Sequence, residues 1–352
     1  MAINWFQPRT LLGAWQQTGK RAKTFLQDMF FKQRFMSKTE NIDLDEVSEN
    51  RIMAPFSAID GAGKTITRPG FNARSYTPPA LKPRQNMKQL DLLQRLPGEA
   101  IYDGMTPEQR ETQLVQQDML RMHNAIMRRR EWMCAQTMFG GQVVMEGDDY
   151  KATLDFALTN KETLLTTALW GAPTTAVPLT DIERWMLAVL AETGVMPNKC
   201  IMATDVAQKF MLCDQVKAEN AKFQNVLLKI DPTPLADYPG AVSLGWYKTP
   251  TGYLVEIITY TEYWETVAAN GTVTRYPMIP AGQLVLANPD NSFIMAFGAY
   301  TDMSTQPAVT YQVEEFPRQW YDGDTNIRWM ELVARPLPAP TLTNGWYWAT
   351  VL

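Results

Sequence analysis

The sequence predicts an α+β protein with extended arms, one long helix and a compact mixed domain. Three observations lead there. A capped helical run covers 107–139, a Gly/Pro-punctuated stretch with no helical stripe covers 51–95, and short strand-like runs recur between Cys200 and Ala287.

Taken in order, residues 1–38 carry seven basic side chains (Arg9, Lys20, Arg21, Lys23, Lys32, Arg34, Lys38) against one acid, Asp28. Residues 39–50 reverse the sign, with Glu40, Asp43, Asp45, Glu46 and Glu49 and no base. Inside the basic part, Leu11, Trp15, Ala22, Phe25, Leu26, Met29 and Phe30 follow helical spacing. A membrane-surface helix has this pattern, but the rest of the chain carries no membrane signal. The reading adopted is an arm. Its stripe of Trp15, Phe25, Met29 and Phe30 has no evident partner in the chain and is expected to dock on an adjacent subunit.

In 51–95, Gly61, Gly63, Pro69, Gly70, Pro78, Pro79 and Pro83 interrupt polar residues and isolated apolar ones, Ile66, Phe71 and Tyr76. An extended two-stranded excursion fits, with too little apolar surface for a core of its own. Ile66, Phe71 and Tyr76 are therefore further candidates for contact with a neighbour.

For the long helix, Thr106 and Gln109 form a capping box, Pro107 takes the first position and Gly140-Gly141 stops the run. Val115, Met119, Met122, Ile126 and Met133 make its apolar stripe. At 1.5 Å per residue it should be about 50 Å long, a strut. A second helix is expected over about 181–192, opened by a Thr180–Glu183 capping box and closed by Gly194. Strands are expected at Cys200–Ala203, Tyr253–Tyr260, a hairpin near Tyr263–Tyr276 turning at Asn270-Gly271, and Gln283–Ala287. A last strand, about Asn326–Arg335, precedes the proline-rich Pro336–Pro340.

Composition excludes more than it selects. With 352 residues, 45% of them apolar, a substantial core is available, and the net charge of −4 is too mild for a dedicated nucleic-acid binder. A single histidine, His123, leaves triads and multi-histidine metal sites short of members. Cys134, Cys200 and Cys213 are odd in number and far apart, so free thiols in a reducing cytoplasm are expected. Eleven tryptophans point to large buried contacts, in interfaces or in cores. Asp60–Thr65 resembles the end of a phosphate loop, but Ala58 stands where a glycine is required. Arg128-Arg129-Arg130 reads as a solvated or salt-bridged helix face, Glu146 with Asp148-Asp149 as a turn, and His123 as structural. No catalytic, cofactor-binding or metal residues are expected.

Ordered landmarks then match a family. They begin with Thr24–Phe31, the acidic Thr39–Val47, Met53-Ala54-Pro55, Tyr76–Pro79 and Arg95–Glu99. They continue through Arg128–Gly141, Val143–Gly147, Leu154–Phe156, Trp170, Gly194–Asn198, Tyr276–Pro280, Phe297–Tyr300, Trp320 and Ala334–Pro340. No single piece is specific; the series resembles the lambda-type major capsid proteins of tailed bacteriophages, the capsid protein E family. One departure is that Gly147 is followed by two aspartates where a glycine or small polar residue is more usual.

The resemblance implies the Hong Kong-type tailed-phage capsid fold. It would make 1–50 an N-terminal arm, 51–95 an extended E-loop hairpin, and 96–171 a peripheral domain holding the spine helix 107–139. An axial domain would occupy 172–300, and 301–352 would return to the peripheral domain. The implied partners are the protein itself, in homo-hexamers and homo-pentamers, a small decoration protein, a portal and a separate scaffolding protein. Packaged double-stranded DNA would be touched weakly and without sequence preference, and no membrane or cofactor is implied. The place of action would be the virion, after assembly in the host cytoplasm. The competing readings are an encapsulin-like compartment of the same fold and an enzyme or nucleic-acid module.

Overall fold

The computed structural model describes residues 23–47, 53–57, 63, 65, 71–95, 105–147, 150–222, 227–268, 270–290, 293–303 and 308–352. Its backbone is organised by the helix Pro107–Gly140, 34 residues long. Thr106 Oγ1 accepts from the Gln109 N–H and the Gln109 side chain accepts from the Thr106 N–H, as the capping box requires. Gly141 closes the helix in the left-handed region at φ 65°, and its Cα faces Leu158 so closely that a Cβ there would lie 2.7 Å from Leu158 Cβ.

Three apolar cores lie along this helix. Val115, Met119, Met122 and Ile126 pack with Met87, Met330 and Leu332. Met133 joins Ile42, Val143, Leu154, Phe156 and Leu337. Cys134, Ala135, Met138 and Phe139 enter the largest core, which holds the fully buried Trp170, Trp185 and Trp346. Many of the tryptophans thus serve the subunit interior. All three cysteines are buried free thiols.

The largest core is built on a seven-stranded mixed sheet. Its spatial order is Lys161–Thr163, Tyr347–Thr350, Gln283–Ala287, Lys199–Met202, Leu254–Tyr260, Ala241–Lys248, Leu228–Pro234. Leu254–Tyr260 is buried along nearly its whole length, while Ala241–Lys248 buries alternate residues, as a strand covered on one face does. The expected hairpin is present as Tyr263–Val267 paired with Val273–Pro277, with Gly271 at φ 80° in its turn. Because two strands come from 161–163 and 347–350, this sheet does not keep within 172–300.

Other expectations are corrected. The second helix is Pro178–Thr193, with Val177 at its cap and no capping side chain, so Thr180 and Glu183 lie inside it. Pro178 at the first position, where a missing N–H costs nothing, sets the earlier start. Pro336–Pro340 is itself a strand, antiparallel to Phe293–Phe297, with Gln33–Met36 parallel on that strand's other side. It lies at a sheet edge, where prolines are tolerated. Finally, among the described residues of 51–95 no two strands pair with each other. Phe71–Tyr76 pairs with Ile42–Val47, and Arg84–Met87 joins the sheet of Ile327–Val333 and Phe316–Asp322.

Met122, mid-helix and buried in one of the three cores, is the sharpest probe of the strut. Met122→Pro is expected to cost about 3 kcal/mol or more and to aggregate or unfold the subunit. A soluble variant with the wild-type denaturation midpoint would contradict the role given to this helix.

Candidate assembly surface

The N-terminal stripe folds onto its own subunit. Phe25–Phe30 forms a short helix whose Phe25, Leu26 and Phe30 are buried, as is the following Phe31. Phe25 packs on Tyr260 and Tyr238 with ring centroids 4.9 and 5.6 Å away, and Phe31 on Phe293 at 4.9 Å. This corrects the assignment of Phe25 and Phe30 to a neighbour contact: at 1% and 0% exposure they have no area left to offer. Met29 is half-buried against the same core. Trp15 and Ile66 lie outside the described residues.

One carboxylate holds this helix in place. Glu131, on the long helix, accepts from the N–H groups of Leu26 at 2.7 Å and Gln27 at 3.0 Å, and from the Tyr260 hydroxyl at 2.9 Å. The first N–H groups of a helix lack internal acceptors, so Glu131 caps it from outside. Burial pushes its carboxyl up to about 7, against the opposing pull of those three donors.

Arg130, about 100° round the helix, makes a second buried junction. Its Nη2 lies 3.1 Å from Glu314 Oε2 and its Nη1 3.5 Å from Glu315 Oε1. Glu315 also meets His123 Nδ1 at 2.8 Å, and Arg34 pairs with Glu314. The arginine triplet therefore divides: Arg128 and Arg129 are exposed, while Arg130 is a buried ion-pair member. The adjacent Glu314-Glu315 was the one available sequence hint, since two neighbouring acids call for bases. Nothing local identified Glu131.

The ribbon of Ile42–Val47 and Phe71–Tyr76 is rooted in the subunit. Ile42 is buried, and Tyr76 is half-buried with its ring 5.4 Å from Phe156 and its hydroxyl donating to the Asp155 carbonyl at 3.3 Å. Tyr76 is thus engaged by its own chain. Arg335 ties the root further, donating to the carbonyls of Ala299 at 3.0 Å and Pro78 at 3.4 Å and pairing with Glu40 at 3.6 Å. Phe71 stands opposite Val47 at the other end. Past that end, Met53 and Phe56 are 88% and 98% exposed.

Strut, rooted ribbon and exposed extension are the features of a subunit completed by other copies. Residues 7–351 match the family described as phage major capsid protein E. The chain belongs to this family. It is 24% identical over 323 residues to the major capsid protein of Enterobacteria phage P21, covering 90% of each chain. It is 22% identical over 336 residues to that of Escherichia phage lambda, covering 93% of each. Its fold is similar to that of a prophage capsid protein of Escherichia coli CFT073, with a TM-score of 0.68 and 18% identity over 97% of this chain and 98% of the other. The capsid structure of cyanophage P-SCSP1u is a more distant likeness, with a TM-score of 0.50 and 10% identity over 94% and 89%. The protein is a major head protein of a tailed phage, a non-enzymatic virion component that forms the icosahedral shell. The cargo-compartment reading gives way to it.

Two outcomes test the internal anchoring. Phe25→Ala is expected to destabilise the isolated subunit by about 3–5 kcal/mol; an unchanged denaturation midpoint would return this residue to the list of neighbour contacts. Glu131 titrates near 7 in the fold against an ordinary 4.5. Its contribution is therefore full below about 4.5 and lost as pH rises through about 7, on the order of 3 kcal/mol in all. Glu131→Gln should keep the fold and flatten the subunit's stability profile between about pH 5 and 8; a profile that still falls as in the wild type would refute this.

Proposed function

We propose that this head protein assembles as hexamers and pentamers in which the ribbon and the chain beyond it lie on a neighbouring subunit. In this reading the N-terminal arm is 1–50 and the E-loop 51–95, with the ribbon's first strand, Ile42–Val47, added to the loop. The long helix is the spine of a peripheral domain (96–171), the seven-stranded sheet dominates an axial domain (172–300), and 301–352 returns to the peripheral domain. A small decoration protein, a portal and a separate scaffolding protein complete the particle, and packaged DNA meets the wall by weak, non-specific contact. The net charge of −4 suits a wall that does not trap its cargo.

The observation that carries the reading is the ribbon's isolation. Among the described residues its two strands pair only with each other, and the paired Ile42 and Tyr76, which reach a core, lie at its root. A two-stranded ribbon is marginal in water by itself, and the prolines at 78, 79 and 83 limit further pairing at its return. Neighbouring copies can supply the missing backbone and side-chain partners.

Hydrogen exchange separates this from an ordinary intramolecular hairpin. Amides across Ile59–Leu81 should exchange fast in the monomer and be strongly protected in assembled shells. Removing Gly61–Gly70 should weaken shells while leaving the monomer's melting transition nearly unchanged. A monomer that loses several degrees, with shells unaffected, would show that the segment belongs to its own subunit.

A further inference from the structure

The sequence holds two Asn-Gly pairs, Asn270-Gly271 and Asn344-Gly345, and the fold treats them in opposite ways. Such a pair contains its own electrophile and nucleophile. Attack of the glycine nitrogen on the asparagine side-chain carbon closes a five-membered ring, and glycine has no Cβ to hinder it. The fold decides whether side chain and turn can reach that geometry.

Asn270 and Gly271 turn the hairpin of Tyr263–Val267 and Val273–Pro277, and the described residues of 265–277 are all exposed. A Cβ built on Gly271 would meet no atom within 4 Å, so there is room for the ring and for water. Asn270 Oδ1 accepts from the Thr272 N–H at 3.0 Å, which folds the side chain back over the Gly271 peptide. The same N–H faces the oxygen that takes up negative charge when the side-chain carbon is attacked. The Gly271 N–H is itself tied to the Ala268 carbonyl at 2.8 Å, so attack waits for that bond to open. At the exposed end of a two-stranded ribbon, opening is cheap.

Asn344 is held on every side. Its Oδ1 accepts from the Thr159 N–H at 2.8 Å, its Nδ2 donates to Glu192 at 2.6 Å, and its carbonyl accepts from Asn160 Nδ2 at 2.9 Å. Gly345 is buried, and a Cβ there would lie 3.1 Å from the Leu342 carbonyl oxygen. The side chain cannot swing toward the Gly345 nitrogen without losing partners on two separate elements.

We infer that Asn270 is a site of spontaneous modification in the folded subunit, converted to aspartate and isoaspartate, while Asn344 is kept intact. The Gly271 nitrogen gives its proton to solvent hydroxide and attacks the Asn270 side-chain carbon. The bond from that carbon to the side-chain nitrogen breaks, and ammonia leaves with a proton taken from water. Water then opens the cyclic imide at one of its two carbonyls. Opening at the side-chain carbonyl gives aspartate; opening at the main-chain carbonyl gives isoaspartate, with a backbone one carbon longer. Each event adds one negative charge beside Val267 and Val273, both exposed. The isoaspartyl form also disturbs the pairing of those two residues next to the turn. Subunits therefore come to differ in charge and hairpin shape with age.

The full chain is incubated at neutral pH in water labelled with heavy oxygen, in one sample native and in another unfolded in denaturant. Peptides spanning the two sites are followed by mass spectrometry, with electron-transfer fragmentation to tell isoaspartate from aspartate. In the native chain the Asn270 peptide should take up label about tenfold or more faster than the Asn344 peptide, a barrier difference of about 1.4 kcal/mol or more. In denaturant the two sites should react at similar rates, because only the fold separates them. Asn270→Gln should abolish labelling of its peptide and leave the melting transition unchanged. Equal native rates at the two sites would overturn the inference. So would an Asn270 that folding slows as much as it slows Asn344, or label that persists in the glutamine variant.

Discussion

A helix of 34 residues cannot be covered by one small core, and the subunit is arranged around that constraint. Three separate apolar clusters lie along it, each closed by a different part of the chain. At Arg130 and Glu131 the helix also carries a base and an acid side by side, both buried, and burial holds the Glu131 carboxyl partly protonated near neutral pH. Buried ions cost several kcal/mol each unless they are paired and hydrogen-bonded. Here the partners come from far along the chain: the start of the Phe25–Phe30 helix and Tyr260 for Glu131, Glu314 and Glu315 for Arg130. The two polar side chains thus register distant segments against one point of the strut.

The ends of the long helix were legible because their signals are local. Thr106, Gln109 and Gly141 act within a few residues, so spacing alone reveals them. The same local logic failed at the second helix, where the Thr180–Glu183 spacing was right but Pro178 had already started the helix. Thr180 Oγ1 instead receives the side-chain amide of Gln215 at 2.9 Å. Pro336–Pro340 misled for a related reason. Its missing donors argue against a central strand, but whether a strand is central depends on Phe293–Phe297, some forty residues earlier.

Amphipathicity told that the Phe25–Phe30 face is covered, and nothing in the pattern tells by what. Tyr238, Tyr260 and Phe293 lie more than 200 residues downstream, which no local rule reaches. The ribbon was legible as extended chain from its glycines and prolines, but its pairing with the acidic strand is a long-range choice. The head-protein function was legible only through the ordered resemblance. A coat subunit has no reacting group whose geometry a motif must preserve, and its composition can only exclude chemistry.

Where the exposed apolar groups fall bears on how such a subunit can serve a shell. The three cores bury their members almost completely, so the body holds together through its own contacts. The exposed groups are scattered: Met53 and Phe56 beyond the ribbon, Leu90 and Leu93 on a short helix, Tyr263, Val267 and Val273 on a hairpin, and Phe35, Leu187, Trp246 and Leu254 on elements of the body. One contiguous patch would favour a closed, self-complementary dimer, whereas scattered groups can meet different surfaces on different neighbours. Sites of that kind can be used together only in an assembly of many copies. The weak net charge helps, since strong self-repulsion would grow with every subunit added to the wall.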